Sequence, residues 1–320
     1  MSTFRYLVSV FSFGLLGVGA GTVSGQAYPN KPIRMVTAAI GGGSDFTTRL
    51  IAQAITGPLG QPVIVDNRPP GVIQGVILSN APADGYTLLV SGSSVFTFPL
   101  LQKAPYDPVR DFSPITVTEK SPTIMAVSPS LAVASVKELI GLAKAKPGAL
   151  NYASTGTGSI NQLAAELFKS MAGVNIVHVA YKATGPALTD VIGGQVQIMF
   201  ASAASVMSLA KAGKLNALAV TSAQPSALTP GIPTVAATGL PGYEMEGITA
   251  IFAPAKTPEA IIDRLNQEIV RFLKTAKAKE QLLNVGSEVV AGSPAELAAT
   301  LKSEMAKMGK VIKEAGLRIE

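Results

Sequence analysis

Short apolar runs alternate along the chain with longer segments whose apolar residues recur at helical spacing. Runs rich in β-branched residues, such as 33–39, 62–66 and 196–200, predict strands. Amphipathic segments such as 135–146 and 160–172 predict helices. Strands that alternate with helices are typical of an α/β architecture with mainly parallel sheets.

The same two patterns continue through the rest of the chain. Further strands are predicted at 86–90, 115–118, 123–127, 150–153, 176–179, 215–220 and 247–252. Further helices are predicted at 46–56, 75–81, 186–192, 203–212, 258–276 and 294–314. For the helix at 258–276 we expect Thr257 as the N-cap and Pro258 at the first helical position.

The N-terminal segment has the features of a secretory signal peptide. Arg5 supplies a positive charge, an uncharged and largely apolar stretch follows, and Val23-Ser24-Gly25 fits a small-residue cleavage site. We therefore predict a signal peptide at 1–25, with a cut after Ala27 as the alternative position. An uncleaved membrane anchor is the alternative interpretation, but the stretch is rich in glycine and lacks a cationic flank on its C-terminal side.

A length of 320 residues favours two lobes over one.

Composition excludes several classes of function. The chain has no cysteine, which excludes disulfides and thiolate metal sites, and its one histidine is His178. A net charge of +6 comes without a cluster of Lys or Arg, and tryptophan is absent, so nucleic-acid binding is not expected. We also expect no cofactor and no bound metal.

Two segments repeat one local pattern, a strand followed by a Gly-rich turn with serine and then a helix. A helix N-terminus offers free backbone N–H groups and the positive end of the helix dipole, and glycine lets the backbone approach an anion. One such unit in each lobe could hold a carboxylate from both sides, although both could be ordinary helix caps. The two turns consist of Gly41, Gly42, Gly43, Ser44 and Asp45, and of Ser154, Thr155, Gly156, Thr157, Gly158 and Ser159.

Enzyme motifs are poorly matched at these turns. Neither turn continues into the Gly-Lys-Ser/Thr of a P-loop. Asn161 stands where the dinucleotide-binding fingerprint needs a third glycine. His178 lies within an apolar strand pattern, which favours a hydrogen-bonded structural role over that of a base. We therefore predict no catalytic residues.

From Tyr28 onward the chain resembles the substrate-binding proteins of tripartite tricarboxylate transporters, the Bug-type family. The resemblance rests on an ordered set of short motifs that covers essentially the whole mature chain. They include YPNKPIR at 28–34, GGGSD at 41–45, GQPVIVDNRP at 60–69, DGYTLL at 84–89, PYDP at 105–108, LNYAS at 150–154, VHV at 177–179, AKAGKL at 210–215 and GLPGYE at 239–244.

The resemblance implies a two-lobed, type II periplasmic-binding-protein (Venus-flytrap) fold, each lobe being a mainly parallel sheet flanked by helices. It implies one lobe made of 28–126 plus 250–320 and a second made of 127–249. It also implies that the two Gly-rich turns hold a ligand carboxylate, and it extends the candidate ligand-binding set to Ser93, Phe98, Ala201 and Ser202.

Departures from the family pattern bear on the ligand. Ile40 replaces the usual proline before the first turn, Phe98 a frequent small polar residue, and Ala201 a frequent aspartate. These changes make the expected cleft less polar and remove a partner for an amine. They favour a carboxylate with an apolar or aromatic body.

The function implied is that of a monomeric periplasmic solute-binding protein, not an enzyme, that captures a small organic carboxylate. Its partner would be the membrane permease subunits of a tripartite tricarboxylate-type transporter. Two alternatives remain open at this point: a secreted α/β enzyme acting on a carboxylate, and a ligand sensor that feeds a sensor kinase of a two-component system.

Overall fold

A computed structural model describes residues 28–41, 43–69 and 72–318. The predicted signal peptide at 1–25 lies outside the described residues, as does Gly42 of the first Gly-rich turn. Within the described part of the chain, no helix is long and apolar enough to cross a membrane.

Strands and helices alternate over most of the chain. The strands are β1 Ile33–Thr37, β2 Val63–Asn67, β3 Thr87–Gly92, β4 Phe112–Val127, β5 Asn151–Ser154, β6 Val177–Ala180, β7 Ile198–Ser202, β8 Asn216–Val220, β9 Glu246–Pro254 and β10 Glu288–Val289. The helices are α1 Gly43–Leu59, α2 Val72–Ser79, α3 Ser94–Leu101, α4 Pro108–Asp111, α5 Val136–Ala145, α6 Ile160–Ala172, α7 Thr184–Ile192, α8 Ala203–Lys211, α9 Val235–Thr238, α10 Glu259–Leu273, α11 Ala276–Asn284 and α12 Pro294–Glu314.

The strands form a mixed sheet with two regions joined by β4. In region 1 the order is β2-β1-β3-β9-β4, where β2, β1 and β3 are parallel and β9 is antiparallel to β3 and β4. In region 2 the order is β4-β7-β5-β6, with β8 on the other side of β4. Residues 112–122 of β4 pair with β9, whereas 123–127 pair with β7 and β8. The α/β fold class is confirmed, but the sheet is mixed instead of mainly parallel, because β4 and β9 run antiparallel to their neighbours. The exact lobe boundaries stay a prediction.

Separate apolar cores lie against the two sheet regions, and α12 reaches both. Leu297 and Leu301 near its start pack into a core of region 1 with Phe96 and Phe252. Met308, Val311 and Ile312 near its end pack into a core of region 2 with Phe168 and Phe200. The last helix therefore connects the two regions in addition to strand β4.

The structure confirms several sequence predictions and corrects others. Helices α6 and α12 have the predicted bounds, and Ser135 caps α5 as expected. The predicted extended segments 115–118 and 123–127 are one continuous strand, β4, because polar residues between them also pair with β9. The predicted helix 258–276 is wrong in its ends. Pro258 is its N-cap, Thr257 donates instead to the Pro254 carbonyl, and a new helix starts at Ala276.

A cleft built from helix N-termini and hydroxyl groups

A cavity of about 300 Å³ lies between the two sheet regions. That volume is at the lower end of the range usual for small-molecule sites. The residues of its wall are Gly92, Ser93, Ser94, Thr97, Ser121, Gly158, Ser159, Ile160, Leu163, Gly247, Ile248 and Thr249. Among the described residues none of these is charged, so hydroxyl and backbone groups dominate its polar surface.

The second Gly-rich turn brings the start of α6 to this cavity. Ser159 is the N-cap, and its hydroxyl accepts a hydrogen bond from the Gln162 N–H at 3.3 Å. The Gly158 N–H donates to Gln162 Oε1 at 2.8 Å. Gly158 has a φ of +77°, and a Cβ there would lie 2.3 Å from Leu101 Cδ1. Glycine thus allows this turn to approach α3 across the cleft.

Helix α3 begins on the opposite wall of the cavity. Its N-cap residue is Ser93, whose side chain makes no cap hydrogen bond. The Ser93 hydroxyl accepts instead from the Ile248 N–H at 3.2 Å, which fixes β9 beside the helix start. Because Ser93 and Ser94 line the cavity, the start of α3 and the positive end of its dipole lie at the cavity.

No described residue of the first Gly-rich turn is part of the cavity wall, and its acidic residue forms hydrogen bonds elsewhere. Asp45 is 3% exposed and accepts hydrogen bonds from the Gly41 N–H at 3.0 Å and from Asn67 Nδ2 at 2.8 Å. Burial raises the pKa of Asp45, but these bonds and Arg49 outweigh it and leave the pKa below its usual value. Asp45 thus holds the turn in shape. Ser44 lies near the wall, since a Cβ on Gly92 would be 3.9 Å from Ser44 Oγ.

His178 supports the second turn from behind. Its Nε2 lies 2.7 Å from Ser154 Oγ, which in turn accepts from the Gly156 N–H at 3.2 Å. Burial lowers the pKa of His178, which favours the neutral ring. Ser154 is fully buried, and the Thr155 hydroxyl donates to Asn161 Oδ1 at 3.1 Å. Thr157 is the exposed residue of the turn.

Three further candidate ligand-binding residues, Phe98, Ala201 and Ser202, lie outside the cavity wall, as do residues 154–157 of the second turn. Phe98 is half-buried on α3, where its neighbour Thr97 faces the cavity. Ala201 is fully buried in a core of region 2, beside β4. Ser202 caps α8 by accepting from the Ser205 N–H at 3.4 Å. Direct ligand contacts by these three residues stay predictions.

Sequence reasoning missed a buried carboxyl group behind the cavity. Glu119 on β4 is 2% exposed and accepts a hydrogen bond from the Thr47 hydroxyl at 2.7 Å. Burial raises its pKa to about 7, opposed by hydrogen bonds from Thr47 and Thr249. The available signal was that Glu119 lies between the apolar runs 115–118 and 123–127, but a polar stretch between two such runs is equally typical of a loop. Ser94, Thr97, Ser121 and Thr249 were missed as well.

Comparison with known proteins places the chain in a family. The model of the tripartite tricarboxylate transporter family receptor matches residues 47–317. BugT of Bordetella pertussis is 33% identical over 307 residues, covering 94% of each chain. An R. palustris protein solved with adipate is 34% identical with a TM-score of 0.74, covering 91% of this chain and 99% of that one. MatC from Rhodopseudomonas palustris, solved with bound malate, is 26% identical with a TM-score of 0.71, covering 89% of this chain and 100% of MatC.

The match to the receptor model spans most of the described chain, and the relatives match over nearly their full lengths. The neighbours share the two-lobed periplasmic-binding-protein fold. The chain therefore belongs to the tripartite tricarboxylate transporter receptor family, whose members are periplasmic solute-binding proteins.

Proposed function

We propose that this protein captures a small organic carboxylate in the 300 Å³ cavity and delivers it to the permease subunits of a tripartite transporter. It acts as a monomer, is exported by a signal peptide at 1–25, and releases its ligand chemically unchanged. The observation that carries the proposal is a cavity where the starts of α3 and α6 meet hydroxyl side chains.

Helix starts and hydroxyl groups suit a carboxylate. Free N–H groups at a helix N-terminus donate to an anion, and the dipole stabilises its charge. Hydrogen bonds to a charged acceptor are about twice as strong as those between neutral groups. Because the donors are neutral, the empty site holds no cation that lacks a counter-charge after the ligand departs. This favours reversible capture. The adipate and malate bound by the relatives are small carboxylates of this class.

The apolar part of the wall supports a ligand with a hydrocarbon body. Ile160, Leu163 and Ile248 face the cavity together with the hydroxyl groups. Burying an apolar carbon chain against them adds about 0.8 kcal/mol per CH₂ group. We therefore place medium-chain or aromatic carboxylates ahead of short hydroxy acids.

Calorimetric titration with matched ligands tests this function. Adipate, malate and benzoate are compared with adipamide, which has nearly the shape of adipate without its charges. We expect at least one carboxylate to bind at least tenfold more tightly than the amide, and the ligand to be recovered unchanged by NMR. Equal binding of adipate and adipamide would contradict an anion site, and conversion of the ligand would favour the enzyme alternative.

A further inference from the structure

Glu119 lies directly behind the cavity wall. In the sheet, Thr249 on β9 pairs with Gly92 on one side and with Glu119 on the other. Gly92 and Thr249 both line the cavity. Glu119 is thus next to a residue of the cavity wall without being part of that wall, and the Thr47 hydroxyl of α1 donates to it.

Among the described residues, none of the ion pairs on the elements packed around Glu119 includes Glu119 itself. Causes of its pKa shift are burial and the hydrogen bonds from Thr47 and Thr249, without a contribution from a charge. Ion pairs on the surrounding elements join Asp45 to Arg49 on α1, Lys120 on β4 to Glu244 and to Glu246 on β9, Glu268 to Arg264 and Arg271 on α10, and Glu304 to Lys307 on α12. Glu296 closes the α12 capping box, and Glu288 on β10 accepts from the Ser226 hydroxyl and the Ala227 N–H.

The ionisation state of Glu119 decides where the Thr249 hydroxyl hydrogen points. An ionised carboxylate is an acceptor alone, so Thr249 must donate to it. A protonated Glu119 can donate its own hydrogen to Thr249 Oγ1, which frees the Thr249 hydroxyl hydrogen to face the cavity. A ligand carboxylate favours protonated Glu119 for two reasons. It gains the Thr249 hydroxyl as a donor, and it avoids a buried negative charge nearby.

We propose that Glu119, acting through Thr249, couples carboxylate capture to the uptake of one proton. The proton comes from solvent, resides on the Glu119 carboxyl group while the ligand is bound, and leaves when the ligand leaves. Glu119 is a positioning residue, because Thr249 and not Glu119 faces the cavity. The inference rests on the proposed function of the cavity.

Titration calorimetry with adipate at pH 6.5, 7.5 and 8.5 tests the coupling. Because the free carboxyl titrates near pH 7 and the bound one at higher pH, we expect the affinity of the unchanged protein to fall about tenfold over this range. The affinities of the Glu119→Gln and Thr249→Val variants for adipate should change less than twofold over the same pH range. At pH 7.5, two buffers with different ionisation heats should reveal proton uptake in the unchanged protein and none in Glu119→Gln.

Two controls separate the possible failures. Glu268→Gln removes another buried carboxyl group, remote from the cavity wall, and should keep the pH dependence. Burial lowers the pKa of His178, so its titration lies towards the acidic side of this range or below it. Without ligand, the raised pKa of Glu119 contributes stability that is fully present below about pH 4.5 and is lost as the pH rises through 7. The difference in free energy of unfolding between the unchanged protein and Glu119→Gln should therefore change over that interval.

The outcomes are distinct. Adipate binding with a pH-independent affinity and no proton uptake overturns the proposal and leaves the proposed function intact. A missing ligand-free titration of Glu119 overturns it as well. A normal ligand-free titration of Glu119, without binding of adipate, malate or benzoate at any pH, contradicts the proposed function and with it the coupling of carboxylate capture to a proton.

Discussion

Replacing Ser159 by alanine tests a residue that both caps helix α6 and lines the cavity. The Ser159 hydroxyl accepts from the Gln162 N–H at the start of α6 and also lines the cavity. Ser159→Ala therefore removes a helix cap and a hydrogen-bond donor for the ligand in one step. The two losses are measured separately, as free energy of unfolding and as affinity.

The expected magnitudes follow from the two contacts. Losing a serine N-cap costs about 1 kcal/mol of stability. A hydrogen bond to a charged acceptor contributes about 1.5–3 kcal/mol. Since about 1.4 kcal/mol corresponds to a tenfold change in Kd, Ser159→Ala should weaken binding of the tightest carboxylate about 10- to 100-fold.

Ser135→Ala is the matched control. Ser135 caps α5 by accepting from the Glu138 N–H at 3.2 Å, and it is not part of the cavity wall. Both variants should lose a similar free energy of unfolding in denaturant titrations, whereas calorimetry should show wild-type affinity for Ser135→Ala. If Ser159→Ala loses stability but binds as tightly as Ser135→Ala, the hydroxyl does not contact the ligand and our placement of the carboxylate is refuted.

Other changes probe the neighbouring parts of the cleft and the lobes. Thr157→Asp should weaken binding at least tenfold in calorimetry and Thr157→Asn clearly less, because a second negative charge competes for the donors of the turn; equal affinities would exclude the turn from the site. Phe98→Asn should shift preference towards smaller, more polar acids in a thermal-shift panel, whereas a large loss of stability with unchanged preference would assign Phe98 to packing. Small-angle scattering should show a smaller radius of gyration on saturation with ligand, and an unchanged value argues against lobe closure. Gly75→Ala should destabilise by about 1–3 kcal/mol in denaturant titrations, since a Cβ there would lie 2.2 Å from the Tyr106 ring, and an unchanged midpoint would contradict this packing.

Strong local signals made part of the fold predictable. Helix α6 combines a serine cap, helical spacing of apolar residues and a glycine at its end, and its bounds match the prediction. Gly158 and Ser159 of the second Gly-rich turn line the cavity. They could be predicted as candidates because a glycine and a serine before a helix form a clear sequence pattern. Local chemistry of this kind is visible in a sequence.

Other parts of the site depend on contacts that a sequence does not display. Helix α3 has apolar residues on several sides, with Ser94 and Thr97 as its only polar residues, and contains Pro99, so it lacks the periodicity that predicts a helix. Residues 119–122 resemble a loop, yet pairing with β9 keeps them in β4. This pairing buries Glu119 and places Ser121 at the cavity, although both positions suggest solvent exposure when the sequence is read alone.

The path of α12 has a consequence for how the protein can be divided. Met308, Val311 and Ile312 complete a core formed mainly by residues between 125 and 245. Burying three such side chains contributes roughly 5–9 kcal/mol, comparable with the whole stability of a typical domain. A fragment that ends near residue 249 would leave that surface exposed to water. Dissection, circular permutation or reporter insertion should therefore keep the C-terminal helix covalently attached, because the central segment shares its apolar core with that helix.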